Sequence, residues 1–269
     1  MKPLFCFFLT ICFSGYLYAQ PETPPESNAT TAGSEQPRPA RPSGPLQQKL
    51  APGLADYTDK VLFGEVWPGS GFSPRDRSLV VISILIATNK PAQLKGHLNR
   101  ALANGVTPVE ASGVLTHLAF YAGWPSAVSA LQVYDDVYTA RHIDMAALGV
   151  DLPMLAPDSS LHAGSTLPGT TPEKPVLAPR FEDISNRVVY GDLWRRSDLS
   201  VRDRSLVTIV ALSAMGDSEL IEPYLRRGID AGLTRNDIGE ALTQMAFYAG
   251  WGKAEKAIAA TSQMLDDQP

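Results

Sequence analysis

From Leu79 to Ile86 the chain is apolar at nearly every position, with Ser83 the one exception. A helix without a polar face is buried on all sides. The β-branched content of this run would also suit a strand, but the residues before it favour a helix. Ser73-Pro74-Arg75-Asp76 supplies an N-cap serine, a proline at the first helical position and an acid at the third. A second helix is predicted from near Pro91, with Leu94, Leu98 and Ala101 at helical spacing, and it ends before Gly105. Thr107-Pro108-Val109-Glu110 repeats the cap, proline and acid pattern and opens a third helix towards Tyr121. Gly123-Trp124-Pro125 breaks it, and a fourth helix resumes from Ser126 to Tyr138.

The same pattern occurs twice. A shift of 127 places lays Arg75-Asp76-Arg77-Ser78-Leu79-Val80 on Arg202-Asp203-Arg204-Ser205-Leu206-Val207, and Phe120 to Trp124 on Phe247 to Trp251. From Lys60 to Gln132 the alignment needs no gap, and about 28 of 73 positions are identical. The prediction is all-α, in two tandem repeats. A unit of this size buries only roughly 60% of its unfolded surface, so the repeats are expected to pack on each other as a pseudo-dimer.

Composition sets the limits of the repeats. Leu4 to Leu17 follows Lys2 as an apolar run too short to span a membrane comfortably, and Leu17-Tyr18-Ala19 offers a cleavage site. Residues 1–19 therefore read as an export signal, with the bacterial periplasm as destination and no membrane attachment after cleavage. Both cysteines, Cys6 and Cys12, lie inside it, which leaves the mature chain without a thiol for disulfide, nucleophile or metal chemistry. Residues 20–53 read as a Pro-rich disordered tether and 146–179 as a Pro-rich linker. The repeats then occupy 54–145 and 180–266. The net charge of −5 argues against nucleic acid as a partner.

Few residues carry chemistry. His142 and His162 fall at or in the linker. His97 neighbours Leu94, Leu98 and Ala101, so it faces the interior, as a core histidine or as an acid–base group; its counterpart is Tyr224. His117 and Tyr121, four residues apart, line one pocket or bond within the core; their counterparts are Gln244 and Tyr248. Arg75 and Arg77, with Arg202 and Arg204, either bind a substrate carboxylate or pair with local acids such as Asp76 and Asp203. No phosphate loop, triad order or metal-ligand spacing of histidines is present, and no cofactor or metal is expected.

Phe63-Gly64-Glu65-Val66-Trp67, Arg75 to Val80, Gly96-His97, Asn104-Gly105-Val106-Thr107 and Tyr121 to Pro125 resemble the carboxymuconolactone decarboxylase family, and the second copy matches at Gly191 to Trp194, Arg202 to Val207, Gly232-Leu233-Thr234 and Tyr248 to Trp251. The resemblance covers both repeats. It implies the family's helical fold, shared with alkylhydroperoxidase-type proteins, and a homo-oligomer in which three two-repeat chains make a pseudo-hexamer. In the peroxidase branch Cys-x-x-Cys precedes the histidine; here those positions are Lys90 and Gln93, so that chemistry lacks its nucleophile. The other branch removes carbon dioxide from a carboxylated lactone without a cofactor. It implies a small carboxylate substrate, with His97 as proton donor, Tyr121 as an orienting hydroxyl, and Arg75, Arg77, His117 and Trp124 as substrate-binding residues. The family's glutamate before Tyr-Ala-Gly is Gly113 in the first copy and Glu240 in the second. Either His97 and Glu240 form one composite site between the repeats, or both sites have decayed into a binding or assembly scaffold.

Overall fold

The computed structural model describes residues 41–148, 152–156 and 177–266, all within the compact unit that begins at Arg41. The expected export signal, both cysteines, His162 and much of the tether and linker lie outside the described residues. Helices α1 (Pro45–Leu50) and α2 (Pro52–Tyr57) lead into π-helical turns at Thr58–Val66. Four helices follow: α3 (Pro74–Ala87), α4 (Pro91–Ala103), α5 (Pro108–Tyr121) and α6 (Trp124–Ala140). The second repeat has α7 (Pro179–Ile184), π-helical turns at Ser185–Tyr190, α8 (Val201–Met215), α9 (Glu222–Asp230), α10 (Arg235–Ala249) and α11 (Trp251–Asp266). Among the described residues the only β pairing is an isolated bridge between Met154 and Arg196. The fold is an all-α tandem repeat.

The caps read from the sequence set the helix starts. The Ser73 hydroxyl accepts from the Asp76 amide at 3.0 Å, and Ser200 does the same for Asp203 at 3.1 Å. Thr107 with Glu110 and Thr234 with Asp237 form reciprocal capping boxes, each cap being worth about 1 kcal/mol. Before the first of these helices the chain makes a wide π turn and comes back close to itself. A Cβ on Gly64 would sit 2.9 Å from the Asp59 carbonyl oxygen, and one on its counterpart Gly191 2.6 Å from that of Arg187. Only glycine fits there, and the turn delivers Trp67 and Trp194 into the core.

Helices α3 and α8 are buried along almost their whole length and pack against each other at the centre. Each is then covered by the third helix of the other repeat as well as its own, α10 lying on α3 and α5 on α8. The contacts are reciprocal, as a two-fold relation requires. Arg75 donates to Asp203 at 2.7 Å and Arg202 to Asp76 at 3.0 Å. Arg75 also reaches Asp76 and Glu110, and Arg202 reaches Asp203 and Asp237.

One expectation is corrected. The stretch 20–53 was expected to be a tether throughout, yet it contains α1. No residue of α1 is buried; polar contacts tie it down instead. Ser43 donates through its amide and hydroxyl to Asp59, Arg41 pairs with the same carboxylate, and Gln47 donates to Thr58 at 2.7 Å. A composition poor in aliphatics gives no sign of such anchoring.

Candidate functional site

Because the third helices are exchanged, each repeat's tryptophan meets a tyrosine from the other copy. Trp67 Nε1 donates to the Tyr248 hydroxyl at 3.0 Å, and Trp194 Nε1 donates to the Tyr121 hydroxyl at 2.8 Å. In the first half-site the His97 ring stacks on Trp67, 6.0 Å between centroids, and meets Tyr248 edge-on at 5.1 Å. In the second, Tyr224 stacks on Trp194 at 5.5 Å and meets Tyr121 edge-on at 5.5 Å. An arginine lies over each indole, Arg100 at 4.9 Å and Arg227 at 4.8 Å. The two half-sites share one architecture and differ in their chemistry.

Behind the rings each repeat buries one arginine completely. Arg77 donates to the Gly69 carbonyl at 3.0 Å and to Glu240 at 2.7 Å. Arg204 donates to the Arg196 carbonyl at 2.7 Å and to Asp198 at 2.5 Å. The acids come from opposite directions. Glu240 stands on α10 of the other repeat, above Gly71, where an added Cβ would lie only 3.5 Å from the carboxyl. Asp198 stands in its own repeat's loop, and a Cβ on Gly113 would approach its carboxyl carbon to 3.0 Å. Gly71 is the counterpart of Asp198, and Gly113 of Glu240. Each buried guanidinium therefore keeps a carboxylate, as an uncompensated buried charge would be very costly.

The histidines behave differently. His117 is fully buried. Thr208 gives its hydroxyl proton to the Arg204 carbonyl, so its oxygen accepts from His117 Nε2 at 2.7 Å, while Nδ1 faces the Arg204 guanidinium at 3.2 Å. That fixes a neutral Nε2–H tautomer with both nitrogens engaged, and burial followed by the Arg204 charge holds its pKa well below the usual value. His97 is only partly enclosed, and its Nδ1 has no partner. Burial and then the Arg100 charge lower its pKa from 6.5 to about 4, so it is neutral at pH 7. Burial pushes the Tyr248 hydroxyl up to about 12, so it keeps its proton.

Tyr248 also lines an open pocket of about 450 Å³, together with Thr88, Lys90, Met215, Ala249 and Lys253. No acidic side chain is in that lining. The described residues contain no group of three His, Cys, Asp or Glu side chains placed to hold a metal ion.

The sequence profile described as the Carboxymuconolactone decarboxylase family matches residues 52–136 and again 179–263, well over half of the chain. The chain belongs to that family. Among curated relatives, a 4-carboxymuconolactone decarboxylase of Acinetobacter baylyi is 32% identical over 83 residues, 31% of this chain and 62% of the relative. Nitrosuccinic acid decarboxylase npaB of Metarhizium robertsii is 34% identical over 71 residues, 26% of this chain and 50% of that protein. An uncharacterized 15.0 kDa protein of Paracoccus denitrificans, from the nqo9–nqo10 intergenic region, is 30% identical over 86 residues, 30% of this chain and 63% of the relative. The matches thus span between half and two thirds of these relatives.

Within this family member the candidate residues fall into separate places. His97 stands in the first half-site, and Glu240 pairs with Arg77; no ion pair joins His97 and Glu240 among the described residues. Tyr121 and His117 belong to the second half-site, with Trp194. Arg75 is taken up in the charged cluster between the repeats and Arg77 by Glu240. Trp124 is exposed at the start of α6, edge-on to Phe120. The tyrosine whose ring meets His97 is Tyr248. It shares the repeated Tyr-Ala-Gly-Trp motif with Tyr121, and sequence reasoning missed it because the alignment of the copies does not say which copy's tyrosine faces His97.

Proposed function

We propose that this chain is a carboxy-lyase or related acid–base enzyme acting on a small carboxylated, lactone-like compound, and that the reaction takes place at the His97–Tyr248 junction. The observation that carries this reading is one tyrosine shared between an open pocket with a cationic rim and an imidazole whose buried Nδ1 has no partner. The two relatives named as decarboxylases support the reaction class.

Decarboxylation breaks the bond between a carbon and its carboxylate. The electron pair stays on that carbon, spreads into a neighbouring carbonyl oxygen, and is quenched when a proton reaches the carbon. The Tyr248 hydroxyl retains its proton and receives one hydrogen bond from Trp67, so it is a donor for the developing oxyanion. His97 supplies the acid–base step. In the free protein it is neutral; a carboxylate bound beside it opposes the Arg100 charge and favours the imidazolium. The acid role inferred from the ordinary imidazole pKa thus belongs to the substrate complex. A second reading, a non-catalytic binding or assembly protein, draws on the fact that Arg77 is already neutralised by Glu240.

Ultraviolet absorbance of 4-carboxymuconolactone, with EDTA present, tests the proposal. The parent protein is expected to consume it, and His97→Ala to lose roughly 10²–10⁴ in rate. Equal rates for the two would remove His97 from the mechanism. No turnover of carboxylated lactones by the parent would favour the binding reading.

A further inference from the structure

The pocket beside Tyr248 is asymmetric with respect to the repeat. Its walls include Thr88 and Met215, counterparts that close the ends of the two central helices. Its cations have no counterparts. Lys90 corresponds to Asp217, and Lys253 to Ser126. Lys90 is the N-cap of α4, and Lys253 lies in the first turn of α11. Lys253 is held in place by donating to the Ala214 carbonyl at 2.6 Å, which uses one of its three N–H bonds. Lys90 is exposed, and no ion pair to its ammonium is found among the described residues.

The other side of the molecule is built differently. In the second half-site Tyr224, stacked on Trp194 and 6% exposed, takes the place of His97. An anion approaching the positions equivalent to the lysines would meet the Asp217 carboxylate.

We infer that Lys90 and Lys253 are the anion-recognition residues of the His97 half-site, and that each chain therefore carries one anion-binding site, not two. The inference rests on the reading of that half-site as the place where a carboxylated substrate binds. The lysines hold a carboxylate that the reaction leaves in place, at the mouth of the pocket, so that the rest of the molecule lies against Tyr248. They act as specificity-determining residues and take no part in proton transfer.

Calorimetric titration of the full chain with succinate tests this. The expected result is saturable binding of one succinate per chain, weakened by salt, with Lys90→Gln and Lys253→Gln each reducing affinity about tenfold. Lys95→Gln, which removes a lysine paired with Asp136 on the outer face of α4, is expected to bind as the parent does. Lys253 also caps α8, so thermal unfolding is recorded beside each titration, and Lys90→Gln gives the test free of that role. Two succinates per chain, parent-like affinity in Lys90→Gln, or no saturable binding at tens of millimolar would each overturn the inference. If lactone turnover fails while succinate still binds through the lysines, the anion site stands and the catalytic reading falls. If turnover persists with an unchanged KM in both lysine variants, the site falls and the chemistry stands.

Discussion

At the scale of single residues, the two interior histidines tie stability to pH in the same direction. The pKa of His97 falls from 6.5 to about 4 on folding, and that of His117 is also held well down. Between these values the unfolded chain binds protons that the folded chain refuses, so stability is full above pH 6.5 and is lost as pH falls towards 4. For His97 the full loss is on the order of 3 kcal/mol. Thermal unfolding between pH 7 and pH 4 is expected to show a falling midpoint, and His97→Asn to flatten the fall; a profile unchanged by His97→Asn would refute the assignment. The buried arginines give a second residue-level expectation. Asp198 is 4% exposed, whereas the Glu240 side chain is 33% exposed. Asp198→Asn is expected to cost about 3–5 kcal/mol in urea unfolding, and Glu240→Gln distinctly less, because water reaches its carboxylate. A reversed order would contradict the geometry.

At the scale of elements, the exchange of acids between loop and helix makes its own expectation. Gly113→Glu alone would push a side chain into Asp198, whose carboxyl carbon lies 3.0 Å from the new Cβ. Combined with Asp198→Gly it would recreate on α5 the arrangement that Glu240 and Gly71 make on α10. The double variant is expected to be more stable than either single one, a coupling that a double-mutant cycle measures directly; additive losses would argue against the exchange. The helix boundaries were legible in the sequence because Ser73, Thr107 and the prolines after them act locally. The π turns at Thr58–Val66 were not, since their widening shows in the close approach at Gly64 and in no apolar period. Nor was the role of Asp198 legible. An alignment of the copies shows Glu240 facing a glycine, but not that an acid from another element fills the same place in space.

At the scale of the whole molecule, the duplication is what allows one chain to hold two versions of a site. One keeps His97 and two lysines beside an open pocket; the other has Tyr224, stacked on Trp194, and carries Asp217 and Ser126 at the lysine positions. Pseudo-dimer packing was readable from the repeat and its size, but Tyr121, placed with His97 by the resemblance, stands in the second half-site. The shift of 127 maps positions without saying which copy touches which; the crossing of α5 and α10 over the opposite central helices decides that, and it brings Tyr248 to His97. The most direct measurement of the central claim is the rate of carbon dioxide release from 4-carboxymuconolactone by the parent chain, by Tyr248→Phe and by the mirror variant Tyr121→Phe. The expected result is a loss of about a hundredfold or more for Tyr248→Phe and a rate within a few-fold of the parent for Tyr121→Phe. Equal losses in the two variants, or a Tyr248→Phe rate matching the parent, would contradict a single reaction site at His97.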